Sequence, residues 1–158
     1  MRTLLYLFLF FSTLGFSQNL TSTTNINITK SWSQEPSGYN YPINIRVPIG
    51  TVPPNGFPVC ILLHGNGGNG GGMINQFANL LECHALVAPT GYLNSWNICA
   101  ENSDAPDIEM IKDLVNLLQG YSNIDSNKIR IIGSSNGAGL ANNIFIENSN
   151  TGIDIVCA

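Results

Sequence analysis

Ser135 is the residue whose neighbours best suit a nucleophile. It is the third residue of Gly-Ser-Ser-Asn-Gly at 133–137, which matches the pattern Gly-x-Ser-x-Gly. The pattern falls directly between a predicted strand and a predicted helix, so the turn holds the serine in a strained backbone conformation. Side chains at Gly133 and Gly137 would collide with neighbouring backbone, which explains both glycines. The sequence therefore predicts a hydroxyl that is presented for attack on an acyl carbon.

A second glycine-rich turn follows the continuously apolar run 59–63 and reads His-Gly-Asn-Gly-Gly at 64–68. In a parallel sheet, this strand end opens on the same edge as Ser135. We expect the backbone N–H groups of Asn66 and Asn136 to form an oxyanion hole, whose loss typically costs about 10² to 10³ in rate. His64 and Gly65 are predicted to shape the turn, with His64 fixing it through hydrogen bonds rather than acting as the base.

The same turn also fits a dinucleotide-binding fingerprint, because Gly65 to Gly70 matches Gly-x-Gly-x-x-Gly. A ribose-binding acid is then expected about 20 residues further on. The next strand ends in Ala88-Pro89-Thr90, without a carboxylate. No Gly-Lys-Ser/Thr follows either turn, and Cys83-His84 is an isolated pair. These observations argue against a nucleotide site and a metal site.

The elements that must position these turns alternate between strands and helices. Residues 39–47 alternate apolar and polar, which predicts a half-buried antiparallel hairpin with residues 26–28 across a turn at 36–38. The alternation of strands and helices in the rest of the sequence predicts an α/β fold whose sheet is mostly parallel, with right-handed crossovers. Its predicted strands are 59–63, 85–88, 128–132 and 153–157, and its predicted helices are 73–81, about 107–118 and 137–147.

Composition limits the chain to one domain and excludes some partners. It has 158 residues, a net charge of -4 and only 10% charged residues, so nucleic-acid binding is not expected. Residues 1–17 are predicted to be a signal peptide, with Arg2 before an apolar run and cleavage before Gln18. The apolar run is too short to span a bilayer. We therefore expect residues 18–158 to be secreted or periplasmic, without stable membrane insertion.

Export changes the interpretation of the four cysteines, Cys60, Cys83, Cys99 and Cys157. In an oxidising compartment they allow one or two disulfides, with three connectivities if all four pair. Cys60 and Cys157 lie in apolar strand-like runs, where a free buried cysteine is the alternative. The sequence does not choose between these pairings.

Taken in order along the chain, these motifs resemble those of α/β-hydrolases. The turn at 64–68, the strand end Ala88-Pro89-Thr90-Gly91, the Trp96-Asn97 pair, Asp107 and the motif at 133–137 are most similar to the polyhydroxybutyrate-depolymerase and feruloyl-esterase branch of secreted esterases. The resemblance covers about residues 40–158. It implies hydrolysis of carboxylic esters, polymeric or soluble, through an acyl-enzyme at Ser135, with Asn66 and Asn136 as oxyanion donors and without a cofactor or metal.

The sequence departs from that family after the serine. In this fold an Asp or Glu and then a His follow the nucleophile, yet residues 136–158 contain no histidine, and their one aspartate, Asp154, begins a strand at the wrong edge of the sheet. His84 precedes its strand and is equally badly placed. We therefore expect 18–158 to be the N-terminal portion of one α/β-hydrolase domain, with little or no esterase turnover on its own.

Two aromatic residues and two acids complete the candidates. Trp96 and Tyr92 lie in the loop at the active edge, where they could stack on a substrate or pack over the rim of the sheet. Asp104 and Asp107 stand at a helix start, where capping is the commoner role. The alternative to an esterase is a non-catalytic protein of the same scaffold that binds a carbohydrate or a partner.

Overall fold

The structure is a computed structural model that describes residues 18–99 and 101–147, together with the backbone of a strand at 154–157. The predicted signal peptide lies outside these residues. No helix in the described part of the chain is long and apolar enough to cross a membrane. The strands and helices, in chain order, are β1 Thr29–Trp32, β2 Glu35–Asn40, β3 Ile43–Arg46, β4 Phe57–Leu63, α1 Gly70–Phe77, β5 Ala85–Pro89, α2 Asp107–Leu118, β6 Ile124–Gly133, α3 Asn136–Glu147 and β7 Asp154–Cys157.

Five of these strands form the central sheet, in the order β3-β5-β4-β6-β7. Strand β3 is antiparallel to β5, and the other neighbours are parallel. Every residue of β4 except Pro58 is buried, and the strand is apolar without alternation, as expected for the centre of a parallel sheet. The predicted α/β class, with a mostly parallel sheet and an N-terminal antiparallel hairpin, is confirmed.

The helices cover both faces of this sheet. Helix α1 packs with Cys60, Leu62 and Leu86 on one face. Helices α2 and α3 pack on the other face, against the alternate side chains of β4 and β6, such as Ile61 and Ile131. The order in which strands are added to the sheet changes direction at β4, since β5 lies on one side of it and β6 on the other. Such a switch point places a crevice at the carboxyl ends of β4 and β6.

The hairpin differs from the sequence prediction. Its turn lies at 33–34, between β1 and β2, and the predicted turn at 36–38 falls inside β2. Pro36 is tolerated there because β2 pairs only with β1 in a two-stranded sheet, which leaves an edge that needs no N–H. The alternating residues Ile43 and Ile45 belong to β3 in the central sheet instead.

Helix α1 begins three residues earlier than predicted. The side chain of Asn69 accepts a hydrogen bond from the Gly72 N–H at 2.8 Å, so the helix starts at Gly70 despite its three glycines. Strand β6 also starts earlier, at Ile124, because an irregularity in its pairing with β4 lets it continue towards the amino edge.

The cysteines with described side chains are all free. Cys60 is buried in β4, and this burial raises the pKa of its thiol to about 11. The free buried alternative is therefore confirmed for Cys60, and pairing among Cys60, Cys83 and Cys99 is excluded in this structure. The side chain of Cys157 lies outside the described residues.

Candidate active site

The turn between β6 and α3 has the strained geometry that the sequence predicts for Ser135. Strand β6 ends at Gly133 and α3 begins at Asn136, so the chain reverses within two residues. Ser135 has a φ of 52°, in the left-handed region that non-glycine residues rarely adopt. Such strain costs about 1 to 3 kcal/mol and persists only where the surroundings fix it. Here the carbonyl of Ser134 accepts the Gly137 N–H at 2.9 Å.

The glycines around this serine have no room for a side chain. A Cβ on Gly133 would overlap the carbonyl of Gly137. A Cβ on Gly137 would overlap the carbonyls of Leu63 and His64. These contacts bring the two turns together, and a Cβ on Gly65 would lie 3.3 Å from the Cβ of Ser135. The tight turn and its close approach to β4 therefore require glycine at 133 and 137.

A cleft of about 580 Å³ opens at this junction and brings the three predicted site residues together. The backbone N–H groups of Asn66 and Asn136 donate none of the hydrogen bonds found within the described residues, whereas Gly67 and Gly68 beside Asn66 both donate to backbone carbonyls. Two N–H groups that have no acceptor among the described residues and lie beside a serine hydroxyl could stabilise an oxyanion. The described residues that line the cleft are Asn66, Leu93, Ser95, Ile98, Glu101, Asn102, Ser103, Ser135 and Asn136.

His64 is buried and joins two turns. Its Nε2 accepts the Gly91 N–H at 3.1 Å, so its Nδ1 carries the proton and donates to the Gly65 carbonyl at 2.7 Å. Burial lowers the pKa of His64, and the bond to Gly65 opposes this only in part. A neutral imidazole with both nitrogens engaged holds the β4 turn in place. Neither nitrogen is available to take a proton from Ser135.

The side chain of Asn136 has a role that the motif did not indicate. Its Oδ1 accepts the Trp96 N–H at 2.8 Å, and its Nδ2 donates to the Trp96 carbonyl at 3.0 Å. The same Nδ2 lies 3.3 Å from Oε1 of Glu101. Asn136 thereby fixes the loop after β5 against the nucleophile turn. That loop lacks periodicity, so the sequence carried no signal for which of its residues, Ser95 and Glu101 among them, line the cleft.

Trp96 does not face the cleft, which corrects its assignment as a substrate-stacking residue. It is fully buried, its ring packs on His64 with centroids 4.8 Å apart, and its Nε1 donates to the His64 carbonyl at 2.8 Å. The indole is needed in the interior because it fills space and satisfies a buried carbonyl. Tyr92 packs edge-on against Trp32 and donates to Glu35 at 2.8 Å. Both aromatics follow the packing alternative.

Asp107 is a buried anchor and not a cap. The N-cap of α2 is Pro106, without a side-chain bond, and Asp107 is the first helical residue. Its carboxylate accepts the Tyr41 hydroxyl at 3.0 Å and the Asn97 N–H at 2.7 Å. Burial raises the pKa of Asp107 to about 6, against the lowering effect of these two bonds. This residue, in α2, ties the loop that carries Trp96 to Tyr41, which lies between β2 and β3.

Within the described residues, no histidine is placed to act as a base at the cleft. The chain has two histidines. His64 is engaged as described, and His84 lies just before β5, at the opposite edge of the sheet, with its Nε2 3.3 Å from a guanidinium nitrogen of Arg130. Burial and Arg130 both lower the pKa of His84. Asp154 begins β7 at that same opposite edge, as expected from the sequence.

No protein-family model matches the sequence, and no curated protein is significantly similar to it. Solved structures do match. The chain is 24% identical to a thermostable esterase over 77% of its length, with a TM-score of 0.54. It is 21% identical to an acetyl xylan esterase from Aspergillus awamori over 65% (TM-score 0.53), and 21% identical to a carboxylesterase from Bacillus cereus over 74% (TM-score 0.52).

The chain spans 37%, 40% and 58% of the lengths of these three structures. The likeness is one of fold. Together with the strand order and the strained serine at the end of β6, it shows that the described chain has the architecture of an α/β-hydrolase, with esterases as its structural neighbours.

Proposed function

We propose that the protein is a serine hydrolase of carboxylic esters and that Ser135 is its nucleophile. The observation that carries the proposal is the backbone of Ser135, held at a φ of 52° between a strand and a helix and beside a cleft. Strained, non-glycine residues of this kind cluster at functional sites. The esterase neighbours support the same reaction, although at low identity.

The chemistry follows from the arrangement of the two turns. The Ser135 oxygen attacks the ester carbonyl while a base takes the hydroxyl proton, and the carbonyl oxygen becomes an oxyanion. The N–H groups of Asn66 and Asn136 would stabilise that charge, assisted by the positive end of α3. The C–O bond to the alcohol breaks as the alcohol receives the proton. Water then attacks the acyl-enzyme, releases the acid and restores the serine.

The reaction needs a general base, and no histidine among the described residues is placed to act as one. We therefore propose that residues other than those described supply the base, in keeping with the expectation that 18–158 is the N-terminal portion of one domain. We also keep export of the protein, and a polymeric or soluble ester as substrate, as parts of this proposal. The predicted signal peptide at residues 1–17 supports export, and the motifs that resemble those of polyester depolymerases and feruloyl esterases support the ester substrate.

A fluorophosphonate probe tests the assignment of the nucleophile. Applied to the longest natural form of the protein, it should form a covalent adduct on the peptide that contains Ser135, detectable by mass spectrometry. The variant Ser135→Ala should show no adduct, and Ser134→Ala serves as the matched control because it removes the neighbouring hydroxyl only. Esterase activity in the same preparations should fall by at least about 10³ in Ser135→Ala alone.

Two results would contradict this proposal. Adduct formation that survives Ser135→Ala would place the nucleophile elsewhere. A folded natural protein that neither reacts with the probe nor hydrolyses p-nitrophenyl esters would favour the non-catalytic alternative, in which the cleft binds a ligand without chemistry. The 158-residue chain alone should show little or no turnover, because a serine without its base loses orders of magnitude in rate.

A further inference from the structure

Leu93 breaks a rule of turn chemistry in the loop after β5. Residues 92–95 form a tight turn, which is closed by the Ser95 N–H donating to the Tyr92 carbonyl at 3.1 Å. Its two central residues, Leu93 and Asn94, have positive φ angles of 53° and 57°, as in a type I′ turn. Such positions favour asparagine and glycine, whereas a leucine there is strained. The second central residue therefore follows the rule and the first does not.

The surroundings hold this turn in place despite the strain. Before the turn, the Gly91 N–H donates to Nε2 of the buried His64 at 3.1 Å. After Leu93, the Asn94 carbonyl accepts the Gly67 N–H at 2.8 Å. These bonds fix the backbone on both sides of Leu93. Its own side chain takes part in none of them, so they do not explain why the residue is a leucine.

Packing does not explain the leucine either. The side chain of Leu93 is 63% exposed, so it buries little apolar area that would offset the strain. Single exposed apolar residues are common, and Ile49 and Leu80 are examples in this chain. Among the exposed large apolar residues of the described part of the chain, Leu93 alone has a positive φ and lines the cleft beside Ser135. A strained residue that packing does not explain points to function.

The place of Leu93 in the site indicates what it contacts. The N–H of Asn66 is proposed to bind the oxyanion, and the next residue, Gly67, is bonded to the Asn94 carbonyl. Leu93 precedes Asn94 and lines the same cleft as Asn66 and Ser135. A substrate whose carbonyl carbon faces Ser135 therefore has one of its two chains beside Leu93.

Ile98 is the other apolar residue in the described lining of the cleft, and it differs from Leu93. It is partly buried and packs against the core. Its Cδ1 would lie 2.8 Å from a Cβ on Gly139, so it is pressed against the backbone of α3. Packing accounts for Ile98. The exposed part of Leu93, by contrast, is apolar surface that a substrate can cover without disturbing the core.

We propose that Leu93 is a specificity-determining residue: it contacts a short aliphatic chain of the ester, and the cleft therefore favours esters with such a chain over acetyl or ethyl esters. The inference rests on the proposed function and deepens it by naming the class of substrate. One methylene group that leaves water changes a rate ratio about 4-fold. Contact along one side of a chain of several methylenes should therefore change the ratio about 5-fold.

The test compares short and longer esters as substrates of the longest natural form of the protein. One pair varies the acyl chain and consists of p-nitrophenyl acetate and p-nitrophenyl hexanoate. The other pair varies the alcohol and consists of ethyl acetate and hexyl acetate. The kcat/KM is measured for all four, and the long-to-short ratio is taken within each pair. The ratio cancels any general change in activity.

Leu93→Asn is the main variant, because asparagine has nearly the shape of leucine, is polar and tolerates a positive φ. It should lower the long-to-short ratio about 5-fold in at least one pair. The urea midpoint of unfolding should stay unchanged or rise, because the strain is relieved. Leu93→Met keeps an apolar side chain of similar volume and should retain most of the natural ratio.

The matched control is Leu80→Asn. Leu80 is also an exposed leucine, but it lies between α1 and β5, at the opposite edge of the sheet. The substitution makes the same chemical change away from the cleft and should leave both ratios unchanged. A fall of the ratios in this variant as large as in Leu93→Asn would overturn the assignment to Leu93.

The outcomes separate a substrate contact from a structural role and from the function on which it rests. If Leu93 packs against another part of the natural protein, Leu93→Asn should lower the urea midpoint and affect all four esters equally, which would overturn the inference. If the esters are hydrolysed and both ratios stay unchanged, chain selection by Leu93 is overturned and the esterase assignment stands. If the natural protein hydrolyses none of the four and does not react with the fluorophosphonate, both proposals are overturned.

Discussion

The two turns that meet at Ser135 are both rich in glycine, yet they are held by different forces. The β6 turn, between Gly133 and Asn136, is short and is fixed by close backbone contacts. The β4 turn, residues 64–69, is long and is held by hydrogen bonds from elsewhere. The Asn94 carbonyl accepts the Gly67 N–H at 2.8 Å, and His64 joins it to the loop after β5.

This difference indicates that the nucleophile turn and the oxyanion turn are positioned by different parts of the structure. Close packing of Gly133 and Gly137 against neighbouring backbone leaves the nucleophile turn with one conformation. The oxyanion turn, by contrast, takes its position from His64 and from the loop between β5 and α2. Substitutions should therefore be costly in the β6 turn wherever they add atoms, and costly around the β4 turn wherever they remove a hydrogen bond.

The largest effect is expected for Gly137→Ala. The new Cβ would overlap the carbonyls of Leu63 and His64, which lie in the central strand and its turn and cannot move aside. We expect a loss of about 3 kcal/mol or more in the free energy of unfolding, measured by urea denaturation.

The control for this substitution is Gly72→Ala in α1. Its Cβ would meet only Oδ1 of Asn69, at an ordinary distance of 3.6 Å, and alanine favours the helix. This variant should be as stable as the natural chain or more stable by up to about 1 kcal/mol. Equal losses in the two variants would contradict the steric account of the β6 turn.

Asp107, which anchors the loop that supports the β4 turn, should make the free energy of unfolding depend on pH. Burial raises its pKa from 3.8 to about 6, so the folded state binds the proton more tightly than the unfolded state. Stability from this group is therefore complete below about pH 4 and is lost as the pH rises through 6. The nearby Glu109 carboxylate adds to the upward shift.

The measurement compares the natural chain with Asp107→Asn from pH 4 to pH 7. The difference in unfolding free energy, natural minus variant, should fall by about 2 to 3 kcal/mol over this range, because two pKa units correspond to about that free energy. Taking the difference removes the contribution of the other carboxylates. A difference that stays constant, or that grows with pH, would show that Asp107 is already charged in the folded protein at pH 4.

The sequence predicted the β6 turn well because its requirements are local. A strand, a serine between glycines and a helix follow each other within 133–137, and the backbone there has little freedom. The loop between β5 and α2 was not predictable in the same way. For Trp96 the sequence left two roles open, stacking on a substrate and packing over the rim of the sheet, and its burial depends on contacts with His64, which is 32 residues away in the chain.

The hairpin lies at other residues than the sequence predicted, for a related reason. The alternation at 39–47 is real, but it serves two sheets: Tyr39 pairs with β1, whereas Ile43 and Ile45 pair with β5. Periodicity indicates which side of a strand is buried. It does not indicate to which sheet the strand belongs. The sequence gave no indication that Glu101 lines the cleft either, because it reaches the cleft only where Asn136 contacts the loop.

His64→Phe should remove the hydrogen bonds that hold the β4 turn, while the aromatic ring at 64 still packs on Trp96. The substitution leaves the buried Gly91 N–H without an acceptor and removes the donor to the Gly65 carbonyl. We expect a loss of about 2 kcal/mol in unfolding free energy. His84→Phe, at the opposite edge, is the comparison variant: it removes one long contact, between Nε2 and Arg130 at 3.3 Å, while its Nδ1 is buried without a partner among the described residues, so the loss should be smaller than in His64→Phe. A larger loss in His84→Phe than in His64→Phe would reverse this assignment.

The smallest effect is expected at Asn94, which holds the far side of the β4 turn. Its Nδ2 donates to the Gly68 carbonyl at 2.9 Å, and its backbone has a φ of 57°. Asn94→Ala loses the bond and places an unfavourable residue in the left-handed region, at a cost of about 1 to 2 kcal/mol. Asn94→Gly loses the bond but relaxes the backbone, so it should cost less than the alanine variant in the same urea titration. If glycine is no better than alanine, the bond to Gly68 alone accounts for the asparagine, and the left-handed backbone contributes nothing measurable to the stability of the turn.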